Sequence, residues 1–254
     1  MTDIYMAAGA FIKEVSDPYN RRARLFPGFT VTLPISVLAV VLVTTKPAWW
    51  SAVVLLLGTS GVSYFGAQLV RSAGRSKQEV LWASWGGALT TQLLRFRGAP
   101  NTVAVQRRHD QLTRLFPDLP MPVQAAESAD PQKADEYYEA ANRALIERTR
   151  DKTRFDRVFD ENCQYGFRRN LWGCRIVALW LAGIGLAAAA TLGGLAATHV
   201  LDISAIGLAF AAGVDILLLL AFTFVVRPEW VREAADAYAQ RLLGSLEILL
   251  APEP

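Results

Sequence analysis

Apolar positions run together in four stretches of this chain, from about Gly28 to Thr45, Ala48 to Val70, Ile176 to Thr198 and Ala205 to Val226. A long mixed region separates the second from the third. A helix needs about 20 apolar residues to cross the hydrocarbon core. The second and third stretches meet that length easily, the fourth just does, and the first is short, with Pro34 inside it as a point of kink or tilt. Only one ionisable residue, Asp215, lies deep in any of them. That pattern favours membrane spans over the buried helices of a large soluble protein. The pairing predicts two tight transmembrane hairpins with a helical domain between them.

The polar segments carry helical rather than strand periodicity. Ile4, Ala7, Ala8, Phe11, Ile12 and Val15 share a face of an interfacial helix that reaches Phe26. In the central region Gly86 and Gly87 stop a helix that leaves the second span, and a short capped helix follows around Thr90–Arg95. Val103 to Phe116 predicts another helix, closed by Pro117, Pro120 and Pro122. Asp130-Pro131 opens the longest one, read as continuing to about Cys163, because proline is tolerated in a first turn. After the last span, Val231, Ala235, Tyr238, Leu242, Leu246 and Leu249 form a continuous stripe, suited to docking on the chain's own helical domain or to self-association. No run alternates with period two. The expected fold is therefore an all-α membrane protein: residues 1–27 an interfacial helix, 28–70 the first hairpin, 71–173 a cytoplasmic helical domain, 174–226 the second hairpin, and 227–254 an amphipathic helix.

Charge sets the orientation. Arg21, Arg22 and Arg24 precede the first span, Arg71, Arg75 and Lys77 follow the second, Arg168, Arg169 and Arg175 precede the third, and Arg227 and Arg232 follow the fourth. The short connections inside the hairpins hold a single lysine or arginine between them, Lys46. By the positive-inside rule, both termini and the central domain face the cytoplasm, as in a multi-pass membrane protein with two short outer turns. The net charge of only +3, in a chain 52% hydrophobic, argues against a general polyanion binder, and no nucleic-acid partner is expected. Cys163 and Cys174 fall on the reducing side and match no metal spacing; no cleavable signal is evident, and the first span should serve as an uncleaved anchor.

Candidate chemistry is sparse. Arg143, Arg150, Arg154 and Arg157, separated by 7, 4 and 3 residues, share one face of the long helix. Glu139 precedes Arg143 by four and Glu147 precedes Asp151, so this face is either a self-neutralised surface or an anion site for a phosphate-bearing ligand, a lipid headgroup or an acidic partner. Arg168 and Arg169 extend the basic set toward the third span. Within the spans, Asp215 lies about 16 Å from the outer end at the helical rise, near the midplane. Thr59, Ser60, Ser63, Thr32 and Ser36 reach a similar level, as do the small residues Ala187 to Ala190. Asp215 should face the bundle, either in an interhelical hydrogen bond or lining a pore. The rows Gly183-Ala187-Thr191, Gly207-Ala211 and Thr59-Ser63-Ala67 favour close helix packing, within one chain or between copies.

No catalytic set assembles. Gly58-Thr59-Ser60-Gly61 is similar to the nucleophile motif of rhomboid proteases, but His199 is the only membrane histidine and lies at the far end of its span, about 18 Å from Ser60 along the normal. Asp202 and Asp215 are separated in depth, which excludes an aspartyl dyad. His109 stands alone and is expected to be an exposed helical residue; no phosphate loop or dinucleotide signature occurs. The chain is read as a non-enzyme without metal or cofactor.

Two motifs flank the central domain: Trp85-Gly86-Gly87-Ala88-Leu89-Thr90-Thr91-Gln92-Leu93-Leu94-Arg95 and Glu161-Asn162-Cys163-Gln164-Tyr165-Gly166-Phe167-Arg168-Arg169-Asn170-Leu171-Trp172-Gly173. Each reads as a structural turn or membrane anchor; the first also has the geometry of an anion-holding helix start. Over the region from the first span to the third, the chain resembles a poorly characterised group of bacterial four-span inner-membrane proteins that carry these two elements. In layout alone it is similar to the four-span effectors of nucleotide-signalled anti-phage systems, a likeness that implies signalled membrane damage and assigns no residue. The expected function is an oligomeric membrane effector that permeabilises the inner membrane, with a non-conducting anchor or scaffold for a cytoplasmic partner as the alternative. Membrane lipids and further copies of the chain are the expected partners.

Overall fold

The computed structural model describes residues 16–43 and 72–251, and every regular element among them is helical. The second apolar stretch, with Thr59, Ser60 and Ser63, and most of the N-terminal helix lie outside the described residues. In chain order the helices are α1 (Pro18–Val43), α2 (72–85), α3 (Leu89–Gln92), α4 (Thr102–Leu115), α5 (Gln124–Ala129), α6 (Pro131–Arg148), α7 (Asp156–Gly173), α8 (Arg175–Ala197), α9 (Ala205–Val225) and α10 (Pro228–Leu250). Three of them, α1, α8 and α9, are long and apolar enough to cross a membrane.

The chain divides into two compact units. An apolar unit comprises Met1–Gln78 and Gly166–Val231, and a polar unit comprises Glu79–Tyr165 and Arg232–Pro254.

In the apolar unit, α8 and α9 pack against each other and both contact α1. One cluster buries Val31, Leu171, Cys174, Ala178, Phe222 and Val226, and another Val41, Ala189, Leu208 and Ala211. Helix α1 starts at Pro18, earlier than the apolar stretch itself, because Asp17 caps it and a π turn over Arg21–Leu25 carries it without a break into Pro27 and Gly28. A second π turn, Ala221–Val225, ends α9, and Arg175 donates from Nε to Phe222 O (2.8 Å) and from Nη2 to Thr223 O (3.2 Å). A basic residue expected from charge asymmetry thus also satisfies carbonyls at the irregular helix end.

Small residues decide which faces meet, though not always those expected. The buried row of α8 is Ala178, Ala182, Gly185 and Ala189, whereas Ala187 and Thr191 of the expected row are exposed. The Gly207-Ala211 row does face a neighbour: a methyl on Gly207 would lie 3.0 Å from Val41 Cγ1. The glycines of the second motif act the same way. A methyl on Gly166 would lie 2.9 Å from Ala23 Cβ, and one on Gly173 would lie 2.8 Å from the Gly74 backbone nitrogen. Asn170 donates to Ala23 O at 2.5 Å, tying α7 to α1.

The polar unit is built on Leu94, Leu112, Tyr138, Ala141, Leu145, Phe155, Val158, Leu242, Leu243 and Leu246. The last three come from α10, with Tyr238 and Leu249 packed beside them, so the C-terminal stripe docks on the chain's own helices. Asn101 caps α4, and Asp130 caps α6, through hydrogen bonds to Ala104 N and Lys133 N at 3.0 Å.

The single long helix expected from Pro131 to Cys163 is two. Thr149 turns its hydroxyl back to Leu145 O (3.0 Å) at the end of α6. The Asp151 carboxylate then accepts from Thr153 N (2.8 Å), Thr153 Oγ1 (2.6 Å) and Arg154 N (3.3 Å). This side-chain-to-backbone bonding competes with the helical ladder and breaks it.

Candidate functional site

Three polar locations stand out, each within one unit. The first is Asp215 on α9, 1% exposed. It faces α8 at Gly185: a methyl there would lie 2.6 Å from Asp215 Oδ2. The contact level is Gly185 rather than the Ala187–Ala190 expected from depth counting. Neither carboxyl oxygen has a hydrogen-bond partner among the described residues. Thr32 and Ser36 are not such partners, because their hydroxyls bond Gly28 O (3.0 Å) and Thr32 O (3.1 Å) of their own helix. Thr59, Ser60 and Ser63 are outside the described residues.

The second location is a polar cluster that the first motif builds. Gly86 and Gly87 take φ of +82° and +120°, which only glycine adopts readily, and reverse the chain after α2. Gln92 donates to Trp85 O (2.8 Å) and Gly87 O (2.7 Å) across this turn. Arg95 donates to Gly86 O (2.7 Å) and forms a two-point pair with Asp135 (2.9 and 2.8 Å). Arg97 bridges Asp135 (2.5 Å) and Glu127 (3.1 Å). Glu127 is 2% exposed and also accepts from Phe96 N (2.8 Å), Arg97 N (3.0 Å) and Tyr138 Oη (2.7 Å).

Although burial pushes the Glu127 carboxyl up, the backbone N–H groups of Phe96 and Arg97, the Tyr138 hydroxyl and the Arg97 charge together hold it below its ordinary value. Asp135 is likewise held low: burial is outweighed by its hydrogen bonds and charge contacts with Arg95 and Arg97. His109 is not the exposed residue expected from sequence. It is 3% exposed, its Nε2 lies 2.7 Å from Leu94 O, and its ring meets Phe96 edge-on at 4.9 Å. Burial pushes its pKa below the ordinary histidine value, against the opposing effects of the Leu94 carbonyl and the Glu127 charge. Among the described residues no nucleophile joins this cluster; its bonds close a turn and a loop.

The third location is a groove of about 600 Å³ on the polar unit, lined by the start of α7 and one face of α10. Arg154, Arg157 and Arg241 border it with Glu161, Gln240, Gly244 and Glu247, above the buried Phe155 and Val158. The expected arginine stripe is therefore divided. Arg154 and Arg157 reach the groove; Arg143 pairs with Glu139 (3.4 Å) and Arg150 with Glu147 (2.8 Å) on α6 and its end. The break at Asp151 is the cause, since the four arginines no longer belong to one continuous helix.

Arg168 and Arg169 serve packing in the apolar unit. Arg168 donates to Trp230 O (2.8 Å) with its guanidinium 4.8 Å from that ring, and Arg169 bonds Gln78 and Asn170. Arg241 was not singled out in the sequence, because nothing along the chain links it to Arg157. Glu127, Asp135 and Tyr138 were also missed; the spacing of Asp130-Pro131 to Tyr138 marks only a helix. Comparison of the chain with protein-family models, with characterised proteins and with solved structures finds no match, so the reading rests on this geometry.

Proposed function

We propose that the chain is an integral effector of a bacterial inner membrane. In this reading four spans form two hairpins, both termini and the polar unit face the cytoplasm, and oligomers permeabilise the membrane when the polar unit receives a signal. The observation that carries the reading is Asp215, a carboxyl enclosed by apolar helices against Gly185 with no hydrogen-bond donor among the described residues. A carboxyl held in lipid is costly and normally faces a bundle interior or a water-filled path. Small residues on α8 and the exposed apolar faces of α1, α8 and α9 support contact with lipid and with further copies. The asymmetric arginines and the motif resemblance support the orientation and the fourth span.

Expression with a membrane-potential dye tests it. Depolarisation by the parent chain and its loss in Asp215→Asn, which keeps the side-chain size and removes the charge, is the expected result. Equal depolarisation in the variant would assign Asp215 to packing. Harmless expression with a soluble protein that co-purifies would replace the effector by a non-conducting anchor or scaffold.

A further inference from the structure

We propose that the groove between α7 and α10 binds a phosphomonoester, with the dianion held by Arg157 and Arg241. This names the class of signal in the effector reading; it rests on that reading for its biological role and not for the binding itself. The charge arrangement is the first argument. Of the acids lining the groove, Glu247 is engaged by Arg107 at 2.7 Å, which leaves Asp156 and Glu161 against the three arginines Arg154, Arg157 and Arg241. Arg157 and Arg241 enter no ion pair among the described residues, unlike Arg95, Arg97, Arg107, Arg143 and Arg150. Two planar guanidinium forks match the three terminal oxygens of a phosphate ester better than a single carboxylate.

Shape is the second argument. A volume of about 600 Å³ falls within the range of small-molecule sites and exceeds what a bare inorganic ion fills. Its floor, Phe155 and Val158, belongs to the core of the polar unit, so the groove is formed before any ligand arrives. Gly244 lies on its wall within α10, where a glycine costs about 1 kcal/mol relative to alanine. No protein atom takes up the space it leaves, for a methyl built there meets nothing within 4 Å. That open wall, with the half-exposed Ile248 beside it, suits the organic part of the ester.

The test is a titration of the purified full chain in phosphatidylcholine nanodiscs with adenosine monophosphate, followed by calorimetry, with inorganic phosphate as competitor. Saturable binding is expected, weakened at least about tenfold by Arg157→Glu and by Arg241→Glu, which is the effect of one lost charge-assisted contact. Gly244→Leu should weaken it as much while leaving every charge in place, with far-UV circular dichroism melting to verify the fold. Arg143→Glu should leave it unchanged. The proposal is overturned if no saturable binding occurs, if Gly244→Leu binds like the parent, or if Arg143→Glu loses as much as the groove variants.

Discs containing phosphatidic acid separate the sources of the phosphate. Competition that depends on Arg157 and Arg241 indicates a lipid headgroup, and its absence indicates a soluble ester. Depolarisation is measured separately, so binding without depolarisation keeps the groove and removes the effector, and the reverse keeps the effector and removes the groove.

Discussion

Replacing Glu127 by glutamine isolates the part of the polar unit that the first motif holds together. The parent carboxylate accepts through Oε2 from Phe96 N and Tyr138 Oη and through Oε1 from Arg97 N and Arg97 Nη1, all between 2.7 and 3.1 Å. Glutamine keeps one accepting oxygen and turns the other into a donor. Whichever way the amide is placed, its NH2 meets two donors. The Tyr138 hydroxyl can rotate to accept, but a backbone N–H cannot. Hydrogen bonds to a charged group contribute about 1.5–3 kcal/mol each, and an unsatisfied buried donor costs about 1–3 kcal/mol. Arg97 is about one-third exposed, so its ion pair is screened and adds little.

The net expectation is a loss of about 3–4 kcal/mol, which at 1.4 kcal/mol per decade is a several-hundred-fold rise in local opening. Hydrogen exchange of the full chain in detergent, read by mass spectrometry over residues 89–100, measures it directly. Tyr138→Phe removes one hydrogen bond and leaves the carboxylate with three donors, and should cost about 1.5–2 kcal/mol, the low end of the charged range. The reasoning fails if Glu127→Gln lowers protection less than tenfold, or if Tyr138→Phe lowers it as much.

Gly173→Ala would place its methyl 2.8 Å from backbone Gly74 N, where nothing can yield, and should destabilise the apolar unit by about 1–3 kcal/mol; Gly244→Ala meets nothing and should stabilise by about 0.5–1 kcal/mol, both read as opposite shifts of the circular-dichroism melting midpoint. Acidification should weaken the polar unit in two stages. His109 has a depressed pKa, so its contribution is complete above its ordinary value near 6.5 and declines as pH falls through the folded value; Glu127 and Asp135 are also depressed, and their contributions vanish lower, as pH falls below the ordinary carboxylate range. Hydrogen exchange in the polar unit at pH 7.5, 5.5 and 3.5, corrected for intrinsic rates, should show protection falling at each step, and constant protection would contradict the burial of His109.

Much of the architecture is a local property and could be read along the chain. Long apolar runs, Asp130-Pro131 and the stripe of α10 mark helices because propensity, capping and periodicity act over a few residues. Gly86-Gly87 marks a turn for the same reason. The break after Arg148 is not legible along the chain, because the Asp151 carboxylate competes with a helical ladder that the arginine spacing favours. The motif Glu161–Gly173 was legible as a distinctive string, while its task, close approach at Gly166 and Gly173 and the Asn170 link to Ala23, was not.

Sequence alone determined that this chain is helical, that it carries helices suited to lipid, and that Asp215 is an isolated acid within one of them. Tertiary structure decided that Asp215 meets Gly185, that Glu127 collects donors from a loop and a helix, and that Arg157 and Arg241 border one groove. The division has a physical cause. Helix formation and lipid partitioning are summed over neighbouring residues, whereas the pairing of charges and the fit of a glycine depend on atoms brought together from distant parts of the chain.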